Sequence, residues 1–303
     1  MATLPLIDLT GLRDPSPAAA EHAAAKVDAV LRGFGAFLAI GHGIPSRIPD
    51  AGFEQARLLF GLPASTRAAL RAERGGRGLH TTTDDEGTVD RFVLGPDLPS
   101  AHALVAAGTP GYGPNRWPPL HGFRDAMTAW QRALVDVCEL LYAAVATAHG
   151  QAPDHLVARH RCPLVQLCLD HRSGHAAGHQ HRWTASIGGF ELAMVGRPAT
   201  SVVRSRDGVV LQSPVEPASV LVTAGALLEE LTGGRYRAPQ HRWELGDAGA
   251  VIMTLRHDLD HDAPLDCLRD RSGAEPGEPG EVGPGPTVSA FLARTASPDT
   301  LAS

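Results

Sequence analysis

The second half of the chain narrows the possible folds most, because it consists of short β-type runs separated by turn residues. Past Pro153, apolar and β-branched residues recur in such runs without any long helical pattern. Many short strands at this spacing predict an antiparallel sandwich or jelly-roll. The runs are residues 164–169, 184–188, 190–195, 201–204, 209–211, 220–223 and 250–255.

The first half has a helical pattern instead. Residues 123–149 carry apolar side chains every three or four positions, which predicts the longest helix of the chain. Residues 53–70 predict a helix interrupted at Gly61-Leu62-Pro63, and the polar residues 71–90 predict a loop or a poorly paired edge. The sequence therefore predicts an α+β fold, with a jelly-roll core preceded by an N-terminal helical lobe.

Three regions follow from this division. We expect residues 1–150 to form the helical lobe and residues 151–262 to form the jelly-roll core. Residues 263–303 contain a stretch rich in Gly, Pro and Glu, which predicts a flexible link. Residues 288–296 then predict a short terminal helix that could act as a lid.

A His-x-His pair is the chemical feature that stands out. On a strand, His179 and His181 would point to the same face, because side chains alternate with a period of two. With His241 alongside, three imidazoles would form the open-sided nitrogen face that is typical of a catalytic metal. The chain has 15 histidines, so the pair alone is equally compatible with ordinary surface or hydrogen-bonded histidines.

Composition excludes several classes of partner. The net charge of −6 gives no electrostatic reason to expect nucleic acid or an anionic membrane. No apolar run approaches the roughly 20 residues that span a bilayer, and the start lacks the features of a signal peptide. These observations predict a cytoplasmic protein, in which the four cysteines are free thiols.

A set of landmarks in order resembles one known family, the isopenicillin N synthase-like branch of the non-haem iron and 2-oxoglutarate-dependent oxygenases. The landmarks are residues 4–9, residues 33–45, the turn at residues 60–63, Trp117-Pro118 and residues 231–242. The resemblance covers most of the chain. It implies a double-stranded β-helix, a jelly-roll whose mouth holds iron through a His-x-Asp and a distal His.

The matching residues imply an altered metal site. His179 matches the first His and His241 the distal one, but His181 stands at the aspartate position. Three neutral imidazoles leave a divalent ion with a formal charge of about plus two, which favours an anionic ligand. We expect Fe(2+) at this site, with copper as the alternative, because three-His faces suit both metals.

The family's 2-oxoglutarate anchor also differs. The resemblance places an Arg-x-Ser where this chain has Ala250-Val251-Ile252, and the family's pocket tyrosine is missing from residues 167–171. An aliphatic site would leave the distal carboxylate buried and unpaired, at a cost of several kcal/mol. Use of 2-oxoglutarate is therefore not expected unless Arg256 or Arg204 binds it.

These expectations lead to a primary function and two alternatives. The primary one is an O2-using oxidoreductase that acts on a small anionic or metal-chelating metabolite, of the kind made in natural-product biosynthesis. Arg182 and Trp183 would contact the substrate at the mouth, and Trp183 would share the strand face of the two histidines. The alternatives are a redox-inactive lyase, cyclase or isomerase using the histidines as acids and bases, and a non-catalytic binding subunit.

Overall fold

A computed structural model describes residues 2–72, 76–84, 87–173, 183–245, 250–265, 268 and 286–295. The strands are β1 (Leu6–Asp8), β2 (Ala36–Ile40), β3 (Gly78–Asp84), β4 (Gly87–Leu94), β5 (Pro163–Ser173), β6 (Phe190–Val195), β7 (Ala199–Arg204), β8 (Val210–Val215), β9 (Val220–Ala224), β10 (Gln240–Glu244) and β11 (Ala250–Asp260). The α-helices are α1 (Pro17–Phe34), α2 (Arg47–Phe60), α3 (Ala64–Ala69), α4 (Ala103–Ala106), α5 (Phe123–Ala148), α6 (Asp154–Val157), α7 (Ala226–Leu231) and α8 (Val288–Thr295).

The strands form two sheets that pack face to face. An eight-stranded sheet has the order β1-β2-β9-β6-β11-β5-β4-β3, and a three-stranded sheet has the order β10-β7-β8. Strand pairs are antiparallel except for β1 with β2. The α+β class and the jelly-roll core predicted from the sequence are confirmed.

Side-chain alternation gives the large sheet two apolar faces. On β6, Phe190, Leu192 and Met194 belong to the larger core cluster, which also contains Trp130 of α5. The intervening Ala193 and Val195 belong to a second cluster with residues of the small sheet. A strand with both faces buried is nearly all apolar, because neither set of side chains reaches water. The members of the second cluster from the small sheet are Ala199, Val203, Leu211, Val215 and Trp243.

The helical predictions agree with the structure. The longest helix, α5, covers Phe123–Ala148, and α2 and α3 are separated at residues 61–63. The first 150 residues also contribute β1 to β4 to the large sheet. Of the C-terminal region, α8 is described, whereas residues 269–285 lie outside the described residues. No described helix has both the length and the apolar character needed to cross a bilayer.

Of the two alternatives predicted over residues 71–90, the loop is wrong for most of its length, whereas the edge agrees with β3, the last strand of the large sheet. Strands β3 and β4 form an antiparallel hairpin there, and β4 pairs with β5. Because β3 is an edge strand, polar residues such as Thr81 face water, and the Thr81 hydroxyl donates to Asp90 at 2.6 Å. An exposed polar edge lacks the apolar alternation by which a strand is recognised in a sequence.

The strand predicted over residues 184–188 is also wrong. Only Thr184 forms an isolated β-bridge, with His241. The carbonyls of Ser186, Ile187 and Gly188 instead accept hydrogen bonds from the first backbone amides of α7, at 2.9 to 3.1 Å. A helix start leaves its first amides without intrahelical partners, so this segment caps α7 rather than joining a sheet.

Two histidines are buried together beneath α5. The ring centroids of His160 and His257 are 4.6 Å apart, and both rings lie beside Tyr142. No ring nitrogen of either histidine has a hydrogen-bond partner within the described residues. Burial lowers the pKa of His160 to about 4, and burial followed by repulsion from His160 lowers the pKa of His257 well below its usual range.

We predict that this pair makes the fold sensitive to acid. The unfolded chain binds protons at an ordinary histidine pKa near 6.5, before folded His160 does, so stability is complete above that pH and declines towards pH 4. His160→Phe should recover about 2 kcal/mol of the unfolding free energy lost between pH 7 and pH 4.5. Urea denaturation at both pH values measures the difference. The same substitution at the exposed His22 is the control, and an equal gain there would contradict the prediction.

Candidate functional site

A polar cavity occupies one end of the interior between the two sheets. Its volume is about 110 Å³, several times what one water molecule needs. Strands β4, β5, β6, β10 and β11 and the segment 184–187 all contribute to its wall. The charged residues that line it are Arg91, Asp170, Arg172, Glu191, Arg242 and Arg256.

Strand alternation places the polar residues in this wall. On β5, Gln166, Cys168 and Asp170 line the cavity, whereas the intervening Leu167 and Leu169 belong to the core beneath the helices. A period of two therefore separates the apolar packing of β5 from its polar, cavity-facing side.

His241 lies at the cavity wall on β10. Its backbone forms an antiparallel bridge with Thr184, with N–O distances of 2.7 and 2.9 Å. The Nε2 atom is 3.4 Å from the Thr184 hydroxyl and 3.4 Å from Oε1 of Glu191. The Nδ1 atom is buried and has no partner within the described residues. This imidazole is available to a ligand or a proton in the cavity.

Glu191 reaches the same point from the opposite sheet. It is the charged residue in the apolar strand β6, and in the sheet it stands between Thr223 of β9 and Arg256 of β11. Its side chain is 19% exposed and shares a strand face with Ala193 and Val195. Glu191 and His241 thus bring a carboxylate and an imidazole together across the cavity.

Arg256 provides a positive charge close to both groups. Its Nε lies 3.3 Å from Oδ2 of the fully buried Asp258, whose Oδ1 accepts a hydrogen bond from the Gly189 amide. Burial raises the pKa of Asp258, against the opposing attraction of Arg256. A Cβ at Gly188 would lie 2.4 Å from Cγ of Arg256, so a residue without a side chain is needed where the arginine stem passes.

Arg91 and Asp170 form a buried ion pair in the wall. Nε and Nη2 of Arg91 donate to the two carboxylate oxygens of Asp170, both at 2.7 Å. Burial alone would raise the pKa of Asp170, but attraction and hydrogen bonding from Arg91 outweigh it and lower that pKa. Burial also raises the pKa of Cys168 to about 11, so this cavity thiol is protonated at neutral pH and is a poor nucleophile.

The sequence-predicted site residues are only partly described. His179, His181 and Arg182, together with His175, lie outside the described residues. His241 and Arg256 line the cavity, whereas Trp183 and Arg204 do not. Trp183 instead packs against the guanidinium groups of Arg204 and Arg242, 4.4 and 4.7 Å from its ring centroid. Arg204 also donates to Gln240, which holds it on the outer side of the small sheet.

The family-anchor positions on β11 are apolar in the structure, as their sequence indicates. Ile252 is buried and packs in the same cluster as Trp243, and neither Ala250 nor Ile252 lines the cavity around His241. His171, on the other face of β5, stacks on Phe60 with ring centroids 5.0 Å apart.

Sequence reasoning missed Glu191, Asp170, Arg91 and Thr184. A signal existed for two of them, because Glu191 interrupts the apolar run 190–195 and Asp170 follows the run 164–169. A lone carboxylate in a buried strand is costly unless it is paired, and this marks it as a candidate functional residue. Arg91 and Thr184 carry no comparable signal, since their partners come from distant strands.

The described residues contain no group of three or more His, Cys, Asp or Glu side chains that could hold a metal ion. His241 and Glu191 are two suitable donors, and divalent ions in proteins take three or more protein ligands at a catalytic site. A metal bound beside His241 would therefore need ligands from outside the described residues.

Comparisons with known proteins agree with this fold. Residues 4–120 match the family model for the N-terminal region of the non-haem dioxygenase in morphine synthesis. The isopenicillin N synthase of Flavobacterium sp. is 24% identical over 306 residues, with 91% of each chain covered. The 2-oxoglutarate-dependent dioxygenase thnC of Trichoderma harzianum is 23% identical over 258 residues, with 79% of each chain covered. The crystal structure of a full-length Neurospora crassa protein in complex with alpha-KG superimposes with a TM-score of 0.78 at 17% identity, covering 97% of this chain and 96% of that one.

We predict that the Arg91–Asp170 pair is essential to the cavity wall. Asp170→Asn removes the carboxylate that faces a buried guanidinium, and should lower the unfolding free energy by about 3 kcal/mol. Asp207→Asn is the matched control, because the Arg237–Asp207 pair is exposed and contributes less than about 1 kcal/mol. Urea denaturation at pH 7 compares the two variants, and equal effects would contradict a structural role for the buried pair.

Proposed function

The chain belongs to the isopenicillin N synthase-like superfamily of non-haem iron and 2-oxoglutarate-dependent oxygenases, and we propose that it is an O2-using metal oxidoreductase acting on a small anionic metabolite. The observation that carries the proposal is the cavity between the two sheets, which both the imidazole of His241 and the guanidinium of Arg256 line. An enzyme of this superfamily whose cavity combines these groups is suited to bind an anion next to a metal. A natural-product pathway is the proposed setting.

The proposed metal ligands are His179, His181 and His241, with Fe(2+) as the metal. His241 is the one of these three that lies within the described residues, and it lines the cavity. Imidazole nitrogens suit iron, and three of them leave positions open for O2 and substrate. When bound, the metal supplies the redox chemistry with O2, while the protein side chains position the substrate and exclude competing reactions.

We propose that the substrate, rather than 2-oxoglutarate, supplies the electrons. The positions that match the family's Arg-x-Ser anchor are aliphatic, and Ile252 is buried in an apolar cluster with Trp243. A distal carboxylate placed against this cluster would lose its hydration without gaining an ion pair. Arg256 lies elsewhere along β11, and no described hydrogen bond engages its terminal nitrogens, so it is the proposed contact for an anionic group of the substrate.

The other charged groups of the cavity have separate roles in this proposal. The Arg91–Asp170 pair is fixed by two short hydrogen bonds and keeps the wall of β4 and β5 rigid. Arg182 is proposed to contact the substrate at the mouth. Trp183, in contact with two arginines, would hold the end of the segment that carries the proposed histidines.

A metal-free acid–base enzyme, acting as a lyase, cyclase or isomerase, is the second candidate. It is favoured by one observation: the residue that faces His241 across the bridge is Thr184, whose hydroxyl is not a usual metal ligand. The adjacent His241 and Glu191 could then act as a base and its orienting carboxylate. Metal content separates the two candidates.

The test is anaerobic calorimetry with Fe(2+) on protein purified without a His-tag. The first candidate predicts one equivalent of iron, and at least tenfold weaker binding after His179→Ala, His181→Ala or His241→Ala. His175→Ala is the matched control, because it lies in the same segment and is not a proposed ligand. The iron-loaded protein should form no succinate from 2-oxoglutarate.

Two results would contradict this proposal. Failure of the wild-type protein to bind iron, copper or zinc would leave the acid–base candidate. Stoichiometric succinate formation with iron bound would retain the metal and assign 2-oxoglutarate as the co-substrate. Stoichiometric copper in the purified protein would instead correct the choice of metal.

A further inference from the structure

We infer that the cavity recognises an α-amino acid head group, with the carboxylate of the ligand on Arg256 and its ammonium group on Glu191. The inference deepens the proposed function and rests on it only in treating the ligand as the substrate. Its basis is a polar row of three side chains that crosses the large sheet. Gln166 of β5, Arg256 of β11 and Glu191 of β6 stand directly opposite one another in the strand pairing, and all three line the cavity.

The members of this polar row are not bonded to one another. Arg256 and Glu191 carry opposite charges on neighbouring strands, but no ion pair joins them within the described residues. Nε of Arg256 faces Asp258, whereas no described partner engages its terminal nitrogens or the Gln166 side chain. Glu191 contacts His241 through Oε1 at 3.4 Å, which leaves Oε2 for another donor. The row therefore presents hydrogen-bond donors to the cavity beside an acceptor of opposite charge.

The spacing of the row matches the two charges of an α-amino acid. Side chains directly opposite on paired strands have Cβ atoms about 5 Å apart. The ammonium nitrogen and the carboxylate carbon of an α-amino acid are about 2.5 Å apart. With charge-assisted hydrogen bonds of about 2.8 Å, such a head group contacts the guanidinium of Arg256 and the carboxylate of Glu191 together. The cavity of about 110 Å³ has room for it.

The charge of the cavity wall favours a zwitterion over a simple anion or cation. The four arginines that line the cavity are matched by carboxylates in the wall or directly behind it. A ligand without net charge preserves this balance. The side chains of Arg256 and Glu191 are only 12% and 19% exposed, so a ligand that matched one of them and not the other would bind less well. The carboxylates are Asp170, Glu191, Glu244 and Asp258.

The experiment measures ligand binding to the metal-free full chain. The standard L-amino acids are screened for a rise in Tm, and calorimetry then compares the best binder with its N-acetyl and carboxamide derivatives. We expect the amino acid to bind at least about tenfold more tightly than either derivative. The N-acetyl derivative lacks the ammonium group that Glu191 would bind, and the carboxamide lacks the carboxylate that Arg256 would bind.

Substitutions assign each charge of the ligand to its side chain. Glu191→Gln should weaken binding of the amino acid at least about tenfold without weakening that of the N-acetyl derivative. Arg256→Lys keeps a positive charge beside Asp258 but removes the planar fork, and should weaken the amino acid and its N-acetyl derivative alike. Glu229→Gln is the matched control, because Glu229 is 24% exposed, pairs with Arg206 and does not line the cavity. Circular dichroism checks that each variant folds.

The outcomes separate this inference from the proposed function. Absence of binding by every amino acid, to both metal-free and Fe(2+)-loaded wild type, would overturn the inference while leaving iron binding intact. A derivative that binds as tightly as its parent amino acid would also overturn it, as would an unchanged preference in Glu191→Gln. The expected pattern in a protein that binds no metal would retain the head-group site and reject the oxidoreductase.

Discussion

The alternation of side chains along β5, β6 and β11 is the constraint on which the rest of the structure depends. These strands lie side by side in the large sheet, with helices on one face and the small sheet on the other. One set of side chains is therefore mostly apolar, since helices cover it, with the buried His257 on β11 as an exception. The other set is apolar only where the small sheet is packed tightly, and can be polar at the end where the sheets leave a cavity.

This division explains how a site with many charges exists inside a buried sandwich. At one end, Val195 and Ile252 of the large sheet pack with Val203 and Val215 of the small sheet. At the other end, arginines outnumber carboxylates in the cavity wall. A buried charge without a partner destabilises the folded protein. The hydrogen-bonded pair of Arg91 with Asp170 therefore reduces the free-energy penalty of placing these two charges in the cavity wall. Arg256 and Arg242 also have carboxylate neighbours, Asp258 and Glu244, so the charge in this wall is largely balanced within the protein.

Much of the fold could be predicted from the sequence because it follows local periodicity. The apolar spacing of α5 and the β-type runs of the second half indicated the helices, most strands and the jelly-roll class. The hairpin of β3 and β4 was missed because its polar residues face water at an edge. The segment after Thr184 was misassigned because its carbonyls cap α7, a tertiary role that no local pattern records.

The sequence indicated candidate site residues only where the residue type was informative by itself. His241 and Arg256 were found by motif and by charge, and both line the cavity. Glu191 lines the cavity because strands that are far apart in sequence pair with one another. Trp183 does not line the cavity, and its ring packs against Arg204 and Arg242. The family resemblance supplied the distal histidine, but the packing of the two sheets supplies the carboxylate beside it.

The cavity around His241 is proposed to be a metal-dependent reaction site, and a bound metal can be located directly. The most direct measurement is anomalous X-ray diffraction from crystals grown anaerobically with Mn(2+), recorded on both sides of the manganese edge. We predict one strong peak within about 2.2 Å of Nε2 of His241. A cavity without an anomalous peak in fully loaded crystals, or a single peak remote from His241, would contradict the proposed site.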